Sequence, residues 1–306
     1  MPISSNLRAA LFMVIAMAGF TLNDAVTKHV METLGFAQVM LIRGIFATIL
    51  IFLLALSSGA LAQAAYLRHP LVALRAVFEM VATIAFLAAL VHLPLANISA
   101  VLQALPLAVT LGAALFFGEK VGWRRWLAIA AGFTGVMIIV QPGFDGFNVF
   151  SLLALLSVMT AATRDLITRR IPEAVPTLLV STVTALAVAM LGGAVTVASD
   201  NWVPLTAATT GWLMASSVLL VIGYHFVIMA MRKGDISFVA PFRYTSLIWA
   251  LALGYLAFGE IPGPAMIVGA AFIVASGLYA LYRERVVGRG KPAAESTGPG
   301  MAPDGL

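Results

Sequence analysis

Apolar stretches of about 18 to 23 residues, parted by short polar breaks, recur along the whole chain, and roughly that length is needed to cross the hydrocarbon core of a bilayer. Hydropathy places them near 9–27, 36–56, 71–92, 96–117, 126–140, 149–167, 176–197, 209–231, 236–258 and 265–282. Lipid satisfies no backbone N–H or C=O, so each span must close its hydrogen bonds internally as a helix. A water-soluble fold is excluded: 10% of the residues are charged and 61% hydrophobic, whereas soluble domains are about 25% charged. The expected fold class is all-α integral membrane, with ten transmembrane helices. The first span is too long for a signal-peptide core and carries Asp24 and Lys28 near its end, so it reads as a retained helix.

Charge sets the orientation. Of 18 Lys and Arg, Arg8, Arg68, Lys120, Arg124, Arg125, Arg164, Arg169, Arg170, Arg232, Lys233, Arg283, Arg285, Arg289 and Lys291 fall on one side by alternation of the spans. Only Lys28 falls on the other, and Arg43, Arg75 and Arg243 lie within spans. The positive-inside rule then puts both termini in the cytoplasm and the chain in the cytoplasmic (inner) membrane. The net charge of +5 is loop charge of this kind and does not imply nucleic acid. Residues 283–306 are basic and then rich in Pro, Gly and Ala, which predicts a disordered cytoplasmic tail.

An internal repeat follows from two tripeptides. Phe117-Gly118-Glu119 closes the fourth span and Phe258-Gly259-Glu260 the ninth, 141 residues apart. Bases follow the first copy and none follows the second, as an inverted duplication requires. The repeats are then 9–140 and 149–282, five spans each. Inverted repeats make two conformations of similar energy available, one open to each side, which argues for a carrier.

These residues, with ten spans and Pro106 inside the fourth, resemble the drug/metabolite transporter superfamily, in particular its EamA-type carriers. The resemblance covers both repeats and implies a central cavity, a small-molecule substrate, and spans five and ten at a packing or homodimer interface. The segment Phe20–Lys28 is similar to that of alphaproteobacterial members, carriers of riboflavin and S-adenosylmethionine among them. This implies a ring-bearing substrate, with export of amino acids or drugs as the alternative.

Charged groups within spans cost about 2.5 kcal/mol or more unless paired or facing water, so each is a candidate for coupling or binding. Arg75 and Glu79 are one turn apart and can pair on one face of the third span. Glu79, near the midplane, can exchange Arg75 for a proton or a cationic group; a self-neutralising structural pair is the alternative. Asp24 and Arg43 lie at comparable depth, as a bridge or with Arg43 snorkelling to the interface. In the ninth span Pro241 frees carbonyls beside Arg243, Tyr244 and Trp249, and such breaks line cavities. Gln103 in the fourth span corresponds to Tyr244 at the same offset of 141, and Asn97 lies on the same stretch. A midplane site formed by both repeats is expected there. Tyr224 and His225 form a third group, His225 as a proton-coupling candidate. Glu119 and Glu260 are expected to cap or bridge helices.

No P-loop, zinc-protease or nucleophile-elbow motif is present, and the chain has no Cys. ATP hydrolysis by the P-loop mode, a metal centre and a cofactor are therefore not expected. A membrane enzyme needs reactive groups clustered at one depth, and a channel a continuous polar stripe; neither pattern is visible.

Overall fold

The computed structural model describes residues 5–59, 67, 69–119, 121–142, 148–172, 175–233 and 236–287. The tail from 288 onward, Arg68 and Lys120 lie outside the described residues. The helices are α1 (Ser5–Met31), α2 (Phe36–Ser57), α3 (Pro70–His92), α4 (Leu95–Leu102), α5 (Leu105–Phe117), α6 (Trp123–Val140), α7 (Phe150–Thr168), α8 (Thr177–Ser199), α9 (Ala207–Lys233), α10 (Ile236–Val239), α11 (Thr245–Phe258) and α12 (Pro264–Val287). A 3-10 segment, Ala240–Tyr244, joins α10 to α11. Among the described residues nine helical segments are long and apolar enough to cross a membrane, α4 and α5 counting as one. The tenth crossing is the divided run from α10 to α11. Helices α1 and α12 extend past the expected 9–27 and 265–282, because helical hydrogen bonding continues where hydropathy has already fallen.

One spacing governs both halves. Helix starts recur 141 residues apart at Phe36 and Thr177, Leu95 and Ile236, and Trp123 and Pro264. Helices α5 and α11 end at Phe117 and Phe258, and the next residues, Gly118 and Gly259, take φ of 67° and 65°. A side chain is strained in that left-handed region, so glycine terminates both helices. Both turns close alike, Glu119 N–H on Ala113 O and Glu260 N–H on Gly254 O.

The packing carries the inversion. Helices α2 and α8 meet antiparallel, Gly44 on Ala189 and Gly192 on Ala37 and Leu41; α6 and α12 do so through Gly135 on Gly269 and Gly132 on Ser276. These are repeat-equivalent helices, so the second half is inverted relative to the first. The remaining large contacts, α1 with α9 and α3 with α7, exchange under the same operation. A Cβ on Gly135 would lie 2.6 Å from the Gly269 carbonyl oxygen, which is why small residues hold this approach. Large apolar side chains such as Phe116 and Leu256, 75% and 78% exposed, face outward, where lipid solvates them. The chain is an all-α integral membrane protein of ten crossings in two inverted repeats.

Both repeats break at the same place. The fourth crossing, expected as one helix over 96–117, is interrupted at Gln103 and Ala104, between α4 and α5. Pro106 lacks an N–H and its ring crowds the carbonyl four residues earlier. Pro241 has the same effect in the ninth crossing, where the chain tightens into the 3-10 segment.

Candidate transport site

At the two breaks the halves touch. Gln103 donates from Nε2 to the Arg243 carbonyl at 3.2 Å and to Ser246 Oγ at 2.7 Å. Gln103, Arg243 and Tyr244, with Leu102, Pro106 and Leu281, line a cavity of about 40 Å³. That volume holds a few waters, since about 10 to 15 Å³ of it suffices for each. The Tyr244 ring reaches to α12, where its hydroxyl occupies the space a Cβ on Gly277 would take. Trp249 and Asn97 do not join this lining. Trp249 is 37% exposed beside the more exposed Ile248, and Asn97 is half-buried on α4.

A charged cluster lies between α3 and α7. Glu79 is the tenth residue of α3, about 14 Å along the helix at 1.5 Å per residue and so close to mid-membrane. Its Oε2 accepts from Arg164 Nη1 at 2.7 Å, with both side chains wholly buried. Arg164 also engages its neighbour Asp165, donating from Nε to Oδ1 at 2.8 Å. Arg75 lies beside this pair and donates to Thr168 Oγ1 at 3.0 Å and Thr184 Oγ1 at 2.6 Å. Thr168 in turn donates to the Arg164 carbonyl, tying the group to α7. Arg243 from the broken crossing lies within electrostatic reach of Asp165, and Tyr224 within reach of Arg75. Three guanidiniums and two carboxylates thus gather from three crossings. Glu79 Oε1 and Asp165 Oδ2 are buried with no hydrogen-bond partner among the described residues.

This arrangement adds a second arginine to the pairing expected from sequence. Glu79 pairs with Arg164 across the repeat interface, and Arg75, one turn away on the same helix, lies within electrostatic reach of it. Arg164 had been counted with the cytoplasmic loop bases, yet it is buried within the bundle. Asp165, which sequence reasoning passed over, follows from the repeat: it stands 141 residues after Asp24.

At the corresponding place in the other helix pair, Asn23 stands between the two expected partners. Its Oδ1 accepts from Arg43 Nη1 at 3.4 Å and its Nδ2 donates to Asp24 Oδ1 at 3.0 Å. Arg43 is buried at 3% exposure, which excludes snorkelling to the interface. Tyr224 packs edge-on to Phe20 at 5.1 Å. His225 faces the other way: it is exposed on α9 in line with Met214, Val218 and Ile222, an apolar stripe of lipid-facing character. Tyr224 and His225 therefore do not form one group. No cluster of three or more metal-ligating side chains occurs among the described residues.

A bundle of two inverted halves, each with a broken helix meeting the other near mid-membrane, defines a membrane carrier of small molecules. Residues 7–141 and 149–282 each match the EamA-like transporter family. The chain belongs to that family, and so to the drug/metabolite transporter superfamily. It is similar to the riboflavin transporter of Rhizobium johnstonii, 31% identical over 284 residues, covering 90% of this chain and 91% of that one. The pseudopaline exporter of Pseudomonas aeruginosa is 28% identical, covering 86% of this chain and 92% of its own. The S-adenosylmethionine uptake transporter of Rickettsia conorii is 24% identical, covering 89% and 91%. A protein of known crystal structure, 18% identical, shares the fold with a TM-score of 0.63 over 93% of this chain and 99% of that one. Family and relatives point to transport of a small molecule rather than catalysis.

Proposed function

We propose that the chain is a secondary transporter that carries a ring-bearing metabolite, riboflavin first among the candidates, across the cytoplasmic membrane by alternating access. Both termini then face the cytoplasm. The supporting observation is the buried cluster of Arg75, Glu79, Arg164 and Asp165, with the half-buried Arg243 beside it, at the seam between the repeats. Charges at this depth are retained where they meet a substrate or a coupling ion. The two carboxylate oxygens with no hydrogen-bond partner among the described residues, Glu79 Oε1 and Asp165 Oδ2, suit the hydroxyl donors of a sugar-alcohol chain or a proton. The aromatic surfaces of Tyr224 and Tyr244 suit a flat ring. Ligand pockets run to about 300 Å³ or more, so this cavity would admit a metabolite only after α4 and α11 part.

A second reading has its own support. The same oxygens suit an ammonium or sulfonium group and Arg243 a carboxylate, the pattern of S-adenosylmethionine. Uptake of labelled riboflavin and of labelled S-adenosylmethionine into cells lacking their own carriers separates the two. Saturable riboflavin uptake that Glu79→Gln abolishes, at unchanged membrane content, supports the first reading. Accumulation of neither compound, in cells or in everted vesicles, overturns both.

A further inference from the structure

Two ion pairs at opposite faces of the bundle obey the same 141-residue spacing as the helices. Lys28, at the end of α1 in the first repeat, binds Glu260, just after α11 in the second, with Nζ to Oε1 at 2.5 Å. Arg169, just after α7 in the second repeat, faces Glu119, just after α5 in the first, with Nη1 to Oε1 at 3.4 Å. Lys28 corresponds to Arg169 and Glu119 to Glu260. Each bridge therefore joins one repeat to the other, and the repeat operation converts one into the other. The rings correspond but their cations do not: Lys28 itself lies 5.2 Å from the Phe258 ring, whereas it is Arg170, the neighbour of Arg169, that lies 4.1 Å from the ring of Phe117.

The two bridges are not in the same state. At the face away from the termini the bridge is enclosed, its side chains 12% and 17% exposed. Lys28 Nζ also donates to the Leu93 carbonyl at 2.6 Å, and Glu260 Oε2 accepts from Leu95 N–H at 2.7 Å. One pair thereby ties α1, the turn from α3 into α4 and the end of α11 together. At the terminus face the pair is long and its side chains are 25% and 55% exposed. An inverted-repeat carrier needs a lock of this kind on each face, engaged on one side while slack on the other.

We propose that Lys28–Glu260 and Arg169–Glu119 are reciprocal latches, and that this structure is held shut at the face away from the termini and only loosely held at the terminus face. The proposal rests on the alternating-access reading above and adds to it the residues that set which side opens.

The test needs no substrate. The chain has no Cys, so Gln103→Cys gives a single thiol at the mid-membrane break, probed with a membrane-impermeant methanethiosulfonate cation added to one face of oriented proteoliposomes. In that background the thiol is expected to react faster from the terminus face. Lys28→Glu sets two carboxylates against each other, and labelling from the opposite face is expected to rise about fivefold or more, the population change open to loss of a partly buried ion pair. The exchange Lys28→Glu with Glu260→Lys is expected to restore the original rate. Lys28→Met with Glu260→Leu leaves no lone charge to impair folding and is expected to raise opposite-face labelling as well. Labelling that this last variant leaves unchanged, in inserted and monodisperse protein, overturns the proposal. So does a charge exchange that fails to restore protection. Latch variants that respond while riboflavin and S-adenosylmethionine uptake are both absent sink only the substrate assignment. Normal uptake with labelling unmoved sinks only the latches.

Discussion

Helix pairs α1–α9 and α3–α7 occupy equivalent places in the two-fold framework, yet they are built from different chemistry. The first closes over glycines and rings: Gly19 lies on Gly223, Phe12 on Phe226 and Phe20 on Tyr224. The second buries Arg75, Glu79, Arg164 and Asp165. At the equivalent of Arg164 stands Asn23, and at the equivalent of Glu79 stands Leu220. Duplication thus supplied a symmetric scaffold, and the charges were concentrated on one side of it. A substrate with distinct ends can then be held in one orientation.

The largest effect should come from the charged pair. Arg164→Ala removes a side chain that bridges both carboxylates, and breaking a buried ion pair costs about 3 to 5 kcal/mol because it leaves charges uncompensated. The purified variant should melt far below the parent in detergent and insert poorly. Replacing the set together, Arg164→Met, Glu79→Leu and Asp165→Leu, should recover much of the melting temperature without recovering transport. A triple variant no more stable than Arg164→Ala would mean that the cluster holds the fold by geometry and not by charge balance.

The apolar pair breaks by a different route. A Cβ on Gly223 would lie 2.6 Å from the Phe20 ring, and overpacking of this kind costs about 1 to 3 kcal/mol. Gly223→Ala should therefore lower the melting temperature less than Arg164→Ala does, and Phe20→Leu in the same chain should recover part of the loss. Equal losses in the two pairs would erase the distinction drawn between them.

What the sequence shows of this structure follows the same divide. The repeat was readable because Phe-Gly-Glu recurs where glycine alone fits the left-handed turn, and hydropathy located the spans because lipid leaves the backbone no alternative. The breaks were signalled by Pro106 and Pro241. That Arg164 also pairs with Glu79 was not readable from span positions, since whether an arginine of α7 reaches across to α3 depends on how α7 rotates against it. Arg164 near a helix end reads equally as loop charge. Only extending the offset of 141 from the tripeptide to Asp24 points to its neighbour Asp165.

At the junction of the two breaks the effect should be smaller. Gln103→Ala removes hydrogen bonds to the Arg243 carbonyl and Ser246 Oγ, and interhelical bonds in membrane proteins average about 0.6 kcal/mol. A loss of about 1 kcal/mol in denaturant titration is expected, with insertion intact. A drop as large as that of Arg164→Ala would make the breaks, and not the charged pair, the principal tie between the halves.

The smallest effect should be at His225, which sharpens the contrast within a single helix. Its neighbour Tyr224 turns inward onto Phe20, whereas His225 stands exposed at the end of the stripe formed by Met214, Val218 and Ile222, with the edge of Phe226 5.8 Å away. A relay between the two faces of the membrane requires a side chain that reaches the interior, and this one points out of the bundle. Surface substitutions away from packed or charged features stay within about 0.5 kcal/mol. His225→Ala should therefore leave melting unchanged, and the dependence of uptake on external pH should match the parent between pH about 5 and 8, the range in which an ordinary imidazole titrates. Glu79→Gln, tested alongside, should alter or abolish uptake across that range. A pH profile displaced by His225→Ala would place a proton path on the outer face of α9 and take coupling away from the α3–α7 cluster.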